Sequence, residues 1–472
     1  MPPSITGDDR LHEECGVFGI HGADDAAEAT YLGMYSLQHR GQESAGILAS
    51  DGRIMRCHKA MGLVTEVFST GTLSRLEGRL AISHNRYSTT GSTRVENAQP
   101  LVVDYRHGRI GIAHNGNLVN AYELRRNMER DGSIFQTTSD SEIFLHLIAR
   151  SKKDTFEERL LDSLKQVKGA YSALLMTEKD LVGIRDPRGF RPLCLGRRGD
   201  AYVVTSETCA LDIVEAEYIR DVEPGEAVVI NEDGLRSYRL DSEPPRAHCI
   251  FELIYFSRPD SRVFGTNVDK ARRAFGRRLA EEHPADADIV IAVPDSSNSA
   301  ALGYAERSGI RFELGLIRNH YIGRTFIDPV QKVRDRGVRV KFNPVRGILK
   351  DKRVVVVDDS IVRGTTSRQL VKMLRRGGAK EVHFRVSSPP IQFPCCYGID
   401  TPTRAELIAS SHSVEEIATY LRVDSLGYLS LEGMLTCVKD PENYCNACFS
   451  GEYSIPFEGE PDKLILSRGL GR

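Results

Sequence analysis

The sequence predicts a two-domain α/β protein, and three observations predict it. Residues 15 to about 240 hold short apolar runs broken by Gly, Asn and Asp, such as "SAGILAS", "RLAISHNRYS" and "AYVVTSET". Such runs read as many strands joined by turns, with a few helices between them. The stretch "DSEPPRAHC" (241–249) is polar and Pro-rich, which marks a boundary. Beyond it, helical stretches alternate with buried-looking strands, "ADIVIAVP", "KRVVVVDD" and "EVHFRVSS". That alternation is the pattern of a parallel α/β sheet.

Taken in order, the chain opens on "MPPSITGDDRLHEE", followed by Cys15 and the apolar run Gly16–Val17–Phe18–Gly19–Ile20. The leader has no basic start and no apolar core, so it is not a secretory signal. Read alone, Cys15 is a small buried hydrophobe at a strand start and the leader a frayed tail. Further on, "TTSDSEIFLHLIAR" begins a helix, with Ser139 and Glu142 at capping-box spacing.

The stretch "VVVVDDSIVRGTTS" (354–367) is the most informative. Four valines make a fully buried strand. Asp358 and Asp359 follow at its C-terminal end. Ser360, Ile361, Val362, Arg363, Gly364, Thr365 and Thr366 then form a loop rich in small and hydroxyl residues. A helix comes next, with Leu370, Met373 and Leu374 on one face and Gly377–Gly378 as its stop. A helix N-terminus fed by such a loop aims N–H groups and hydroxyls at an anion, ideally a phosphate. Paired carboxylates suit the vicinal hydroxyls of a ribose or a divalent metal. The alternative is a solvated acidic turn.

Composition excludes other classes. Lys+Arg number 63 and Asp+Glu 65, a net charge of −2, which gives no global field for nucleic acid or an acidic membrane. No apolar run approaches the ~20 residues of a membrane helix. The protein is expected to be soluble and cytoplasmic, with small-molecule partners and neither nucleic acid nor membrane among them. Ten cysteines spread over a long chain do not make a secreted disulfide scaffold; in a reducing compartment they are free, catalytic or metal-bound.

These residues resemble known families. "VVVVDDSIVRGTT" is similar to the phosphoribosyl diphosphate (PRPP) motif of type I phosphoribosyltransferases. "VPDSSNSAALGYA" (293–305) resembles their pyrophosphate and metal loop, which brings in Asp295, Ser296 and Ser297. "IRNHYIGRTFIDPVQKVRDRGVRVKFN" (317–343) resembles their mobile lid, which brings in Arg318, Tyr321 and Arg324. In the first half, "CGVFGI", "LQHRGQESAGI", "HNRYSTTG", "AHNGNLVN" and "TSDSE" occur in this order. That set resembles the N-terminal-nucleophile glutamine amidotransferases. From Cys15 on, the chain as a whole resembles the glutamine PRPP amidotransferase (amidophosphoribosyltransferase) family, in its iron–sulfur, propeptide-bearing type.

The resemblance implies an αββα glutaminase domain at 15–240 and a type I phosphoribosyltransferase domain at 250–434. Residues 1–14 would be a propeptide, and 435–472 a tail carrying cluster ligands. Cys15 would be the nucleophile, its own α-amine the base. An α-amine of pKa about 7.7–8 can take the proton of a thiol near ~8.5. Removing Met1 alone would expose Pro2, so the cut must fall between Glu14 and Cys15. Asn115 and the Gly116 N–H would form the oxyanion hole. Arg86 would hold the glutamine α-carboxylate and Asp140 the α-ammonium, with Arg40, Gly41, Tyr87 and Thr89 lining the pocket. Taken singly, Arg86 could be a surface ion pair and Asp140 a helix-start acid. His84 and His114 are read as structural. Ser296, Asp358 and Asp359 would hold one Mg²⁺ per subunit. The implied reaction is the first committed step of purine synthesis, with an internal ammonia channel, in a homotetramer inhibited by purine nucleotides.

"CNAC" puts Cys445 and Cys448 in CxxC spacing, which on its own fits zinc or a redox pair as well. The resemblance adds Cys249 and Cys395 and implies one [4Fe–4S] cluster per subunit. Cys396 is an alternative to Cys395, and zinc an alternative to the cluster. Cys57, Cys194, Cys209 and Cys437 read as ordinary buried or half-buried residues. Two rival functions remain. A glucosamine-phosphate synthase would lack "VVVVDDSIVRGTTS". A PRPP sensor without activity would not need Cys15, Asn115, Arg318 and Arg324.

Overall fold

The computed structural model describes residues 15–87, 94–319, 341–457 and 466. The expected propeptide (1–14), Thr89, Tyr321 and Arg324 lie outside the described residues.

Two antiparallel sheets build the first half. The first has the order β11 (Glu217–Asp221), β9 (Cys194–Arg198), β10 (Ala201–Thr205), β1 (Gly16–His21), β4 (Leu80–Arg86), β2 (Ser44–Ser50), β3 (Met55–Met61). The second has the order β13 (Gly234–Arg239), β12 (Glu226–Asn231), β8 (Leu181–Arg185), β7 (Gly169–Met176), β6 (Gly108–Leu118), β5 (Leu101–Tyr105).

Alternation along each strand explains the layers. On β1, Val17 joins Leu48, Ile82, Ala113 and Leu174 in the core between the two sheets. Its neighbours Phe18 and Ile20 point the other way, against the helix Ala26–Ser36. On β7, Tyr171, Ala173 and Leu175 face the helices Glu142–Arg150 and Phe156–Leu164. The result is helix, sheet, sheet, helix. The central strands, such as β1, β2 and β7, are covered on both faces and read as continuous apolar runs, whereas the outer strands β3, β11 and β13 are part-exposed and polar.

Between the halves, β14 (His248–Cys249) pairs in parallel with β23 (Tyr444–Cys445) near the C-terminus. A short ribbon follows, β15 (Arg262–Val263) with β16 (Thr266–Asn267). The second sheet system is wholly parallel: β17 (Ile289–Ala292), β20 (Arg353–Asp358), β21 (Glu381–Val386), β22 (Ser425–Tyr428). The four valines of β20 alternate sides. Val355 and Val357 pack with the helices Val268–Glu282 and Asn298–Ser308. Val354 and Val356 pack with Leu370, Val371 and Leu374 of the helix Thr365–Arg376. Met373 is only half-buried on that helix. The ends of the lid-like segment form a small pair, β18 (Leu316–Arg318) with β19 (Phe342–Pro344).

One local expectation fails. The helix after Asp140 spans Glu142–Arg150, and its N-cap, Ser141, makes no side-chain cap. The Glu142 carboxylate instead accepts from the Gln136 and Thr137 N–H groups and the Thr137 hydroxyl. Glu142 is therefore spent on the preceding turn rather than on a capping box with Ser139. Among the described residues, no helix is long and apolar enough to cross a membrane.

Candidate active sites

Cys15 stands at the entry to β1, where Gly16 pairs with Asn85 and Val17 with His84. That register sets the end of β4, with Arg86 and Tyr87, beside the thiol; Cys15 Sγ lies 3.5 Å from the Tyr87 carbonyl oxygen. Burial pushes the thiol up to about 11, against the pull of the Arg86 charge. His84 Nε2 reaches across to the His114 carbonyl at 2.9 Å, and His114 Nδ1 meets Ser141 Oγ at 3.0 Å. Both rings thus act structurally, and His84 clamps β4 onto β6 one residue before Asn115.

Asn115 is 1% exposed, and among the described residues its Nδ2 has no hydrogen-bond partner. A buried amide donor left open is costly unless something fills it. Gly116 takes φ +145°, and a Cβ there would lie 2.0 Å from the Ala170 carbonyl oxygen, so only glycine fits. Asp140 is buried beside this strand end, its Oδ2 accepting from the Leu118 N–H at 2.9 Å. Arg86 is buried too and meets Glu43 Oε1 at 3.0 Å. Gly41 packs on the Asn85–Arg86 backbone.

The Arg40 side chain is committed to partners inside the protein. Its Nε donates to the Cys15 carbonyl at 3.2 Å, and its Nη groups meet Glu207 at 2.5 Å and Glu252 at 2.7 Å. All three charged side chains are fully buried. Glu207 also takes His39 Nε2 at 2.8 Å and Ser261 Oγ at 2.7 Å. Burial pushes the Glu207 carboxyl up, but the His39 and Arg40 charges outweigh it and hold it well below the usual carboxylate range. Two buried acids thus face the one guanidinium, and buried Arg191 lies 3.7 Å from Glu252 on its other side. Sequence reasoning missed Glu43, Glu207 and Glu252; acids inside otherwise apolar stretches were their only signal.

In the second half, Asp358 and Asp359 end β20 and are buried. Ser296 Oγ donates to Asp359 Oδ2 at 2.5 Å, and Ser297 Oγ lies 3.3 Å from Asp358 Oδ1. Ser360 Oγ donates to Asp359 Oδ1 at 2.7 Å. The two loops expected to share a metal and a diphosphate thus meet at the carboxyl ends of adjacent parallel strands, where ligands of open α/β sheets bind. The loop continues through Ile361, Val362 and Arg363. Gly364, at φ +78°, then turns the chain into the helix Thr365–Arg376. That helix presents its N-terminus, with Thr365 and Thr366, to this end of the sheet. Buried Arg272 lies behind, 3.5 Å from the Ser296 carbonyl, and bonds to the Leu253 and Ser257 carbonyls. Asp295 pairs with Arg318 at 2.7 Å.

Four cysteines converge at the seam. Cys249 and Cys445 are partners in the β14–β23 pair. Cys249 and Cys448 share one buried cluster, against which Cys395 packs, and Cys395 and Cys445 both pack against a neighbouring one. The Tyr397 N–H donates to Cys395 Sγ at 3.3 Å. Cys396 is buried in an apolar cluster with Ala170, Phe190 and Ala247, against which Cys395 and Cys445 also pack. Among the described residues, no three His, Cys, Asp or Glu side chains stand where a single metal ion could be held.

Comparison with known proteins agrees with this geometry. A family model described as "Glutamine amidotransferase domain" matches residues 84–212. The amidophosphoribosyltransferase of Bacillus subtilis (strain 168) is 55% identical over 449 residues, covering 94% of both chains. A solved "allosteric regulatory enzyme of purine biosynthesis" is 54% identical with a TM-score of 0.89, covering 93% of this chain and 96% of that one. A solved glutamine PRPP amidotransferase from B. subtilis, complexed with ADP and GMP, is 54% identical with a TM-score of 0.88. It covers 93% of this chain and 97% of that one. At this identity over nearly the full length of both partners, the chain belongs to the amidophosphoribosyltransferase family.

Proposed function

We propose that the protein makes 5-phosphoribosylamine from PRPP and glutamine, the amidophosphoribosyltransferase reaction of purine biosynthesis. The observation that carries this reading is the pairing of two sites in one chain. One is a buried thiol at Cys15 beside the open Asn115 amide. The other is the Asp358–Asp359 pair with its loop and helix N-terminus.

The Cys15 thiolate attacks the glutamine amide carbon, and the oxyanion takes hydrogen bonds from Asn115 Nδ2 and the Gly116 N–H. The C–N bond breaks, ammonia leaves with the proton the α-amine held, and water cleaves the thioester to glutamate. A thiol pushed up to about 11 by burial is a poor nucleophile while the chain continues before it. Cutting at Glu14–Cys15 supplies the missing base. Arg86 and Asp140 offer opposite charges to the two ends of glutamine. Arg40, held on the Cys15 carbonyl, fixes the nucleophile's backbone rather than the substrate.

Ammonia then attacks C1 of PRPP, and pyrophosphate leaves with the C1–O electron pair. Asp358 and Asp359 hold the ribose hydroxyls, and the 360–366 loop holds the 5-phosphate. Mg²⁺, held by Ser296, Asp358 and Asp359, would neutralise charge on the leaving pyrophosphate. Cys249, Cys395, Cys445 and Cys448 would hold a [4Fe–4S] cluster that staples β14 to the C-terminal segment. Purine nucleotides as feedback inhibitors, a cytoplasmic setting and a homotetramer complete the proposal.

The test is PRPP-dependent release of glutamate and pyrophosphate. Cys15→Ala is expected to abolish the glutamine reaction and to leave ammonia-dependent synthesis from PRPP intact. PRPP binding with no glutamate release would favour the sensor reading instead.

A further inference from the structure

The turn Cys395–Gly398 belongs to the second half of the chain, yet it packs on the strand that carries Asn115 and Gly116. Gly398 takes φ +101°, and a Cβ there would lie 2.9 Å from the Gly116 carbonyl carbon and 3.0 Å from its Cα. Asn117 Nδ2, one residue further along β6, donates to the Cys396 carbonyl at 2.9 Å. Arg191 Nη2 donates to the Tyr397 carbonyl at 2.7 Å. The Phe190 and Tyr397 rings pack with centroids 4.3 Å apart. On its other side, Gly116 is closed by the Ala170 carbonyl. The Gly116 backbone is therefore held between Ala170 on its own sheet and Gly398 from the other half.

We propose that the Cys395–Gly398 turn is a positioning element for glutamine hydrolysis: Gly398 and Asn117 fix the Gly116 peptide where its N–H meets the developing oxyanion. The proposal rests on the reading of Asn115 and Gly116 as oxyanion donors. The role of Gly398 and Asn117 here is to hold the Gly116 backbone, not to contact substrate. An oxyanion donor acts only when it sits about 3 Å from where the charge appears, and losing one costs roughly 10²–10³ in kcat. A displaced donor loses part of that. The loss falls on the transition state, so kcat moves and KM does not.

Gly398→Ala and Asn117→Asp test this in the full-length enzyme. The alanine methyl has no room against Gly116 and meets an unfavourable φ; the aspartate cannot donate to the Cys396 carbonyl. Both variants are expected to lower the glutamine-dependent kcat by about 10-fold or more, with the KM for glutamine within about twofold. An aldehyde analogue of glutamine, which forms an oxyanion-like adduct with the thiol, should bind more weakly by the same factor. Glutamate binding and ammonia-dependent synthesis from PRPP should stay within about twofold, which separates this loss from misfolding. Unchanged glutamine kcat in both variants would overturn the proposal. So would equal losses of the glutamine and ammonia reactions with aldehyde affinity unmoved. Asn115→Ala tests the underlying reading: if it keeps full kcat and aldehyde affinity, the oxyanion assignment itself falls.

Discussion

Arg40 Nη2 lies 2.7 Å from Glu252 Oε1, with both side chains fully buried and 212 residues apart in the chain. The same guanidinium holds the Cys15 carbonyl. From Glu252 the contacts run on: Ser257 Oγ donates to Glu252 Oε2 at 2.6 Å, and Arg272 bonds to the Ser257 carbonyl at 2.7 Å. Arg272 also approaches the Ser296 carbonyl. A buried polar chain thus links the Cys15 backbone to the loop beside Asp359.

Breaking that chain should destabilise the protein. Glu252→Gln keeps the shape of the side chain and removes its charge, leaving two buried guanidiniums, Arg40 and Arg191, with Glu207 on Arg40 but without the Glu252 carboxylate between them. Losing one partner of a buried pair costs about 3–5 kcal/mol. The expected result is a clearly lowered Tm in calorimetry, with glutamine-dependent activity falling more than ammonia-dependent activity. An unchanged Tm would show that the pair adds nothing.

Cys395 and Cys396 should differ in iron content. Both thiols lie near Cys445, but only Cys395 also packs against the buried cluster that holds Cys249 and Cys448. In anaerobically purified protein, Cys395→Ser is expected to lose iron and labile sulfide. Cys396→Ser is expected to keep both. Zinc in place of iron would remove the cluster from the account.

Asp359→Asn should separate the two sites. Asp359 accepts from Ser296 and Ser360, so its loss would disturb the proposed metal and ribose contacts together. PRPP-dependent synthesis is expected to fall at least 10-fold with glutamine or with ammonia. Labelling of Cys15 by a diazoketone analogue of glutamine should persist. Loss of both would mean that Asp359 supports the fold rather than the site.

Acid should weaken the fold through His84. Burial, with the Arg86, His114 and Lys59 charges, pushes the ring down to about 3. The folded protein keeps it neutral while the unfolded chain protonates near ~6.5. Its contribution is therefore present above about pH 6.5 and is lost as pH falls towards 3, at about 1.4 kcal/mol per pH unit. Asp186, raised to about 6 by burial, runs the other way below pH 6. The stability difference between wild type and His84→Gln isolates the histidine. It should shrink as pH falls from 7 to 4; parallel curves would contradict this.

The local features were legible in the sequence because they lie within one short segment. The β20 strand, its two aspartates, the loop and the helix after it are contiguous, so apolar runs and small residues expose them. The sandwich was legible as strands, and the burial of both faces of β1 is visible in its apolar run. The capping box was misread because Glu142 has two possible partners close by, and the turn at Gln136–Thr137 wins. The resemblance put Arg40 and Gly41 in the glutamine pocket, but it said nothing of what the Arg40 guanidinium pairs with. Its acids, Glu207 and Glu252, arrive from 167 and 212 residues away, and nothing in a linear pattern pairs them. The contact of Gly398 with Gly116 was hidden for the same reason.

The most direct test is to label the purified enzyme with a diazoketone analogue of glutamine and map the adduct by mass spectrometry. The account expects one adduct per active chain, on Cys15, in a chain whose first residue is Cys15. An adduct on another residue, or on Cys15 in an active chain that still carries the leader, would contradict the N-terminal nucleophile.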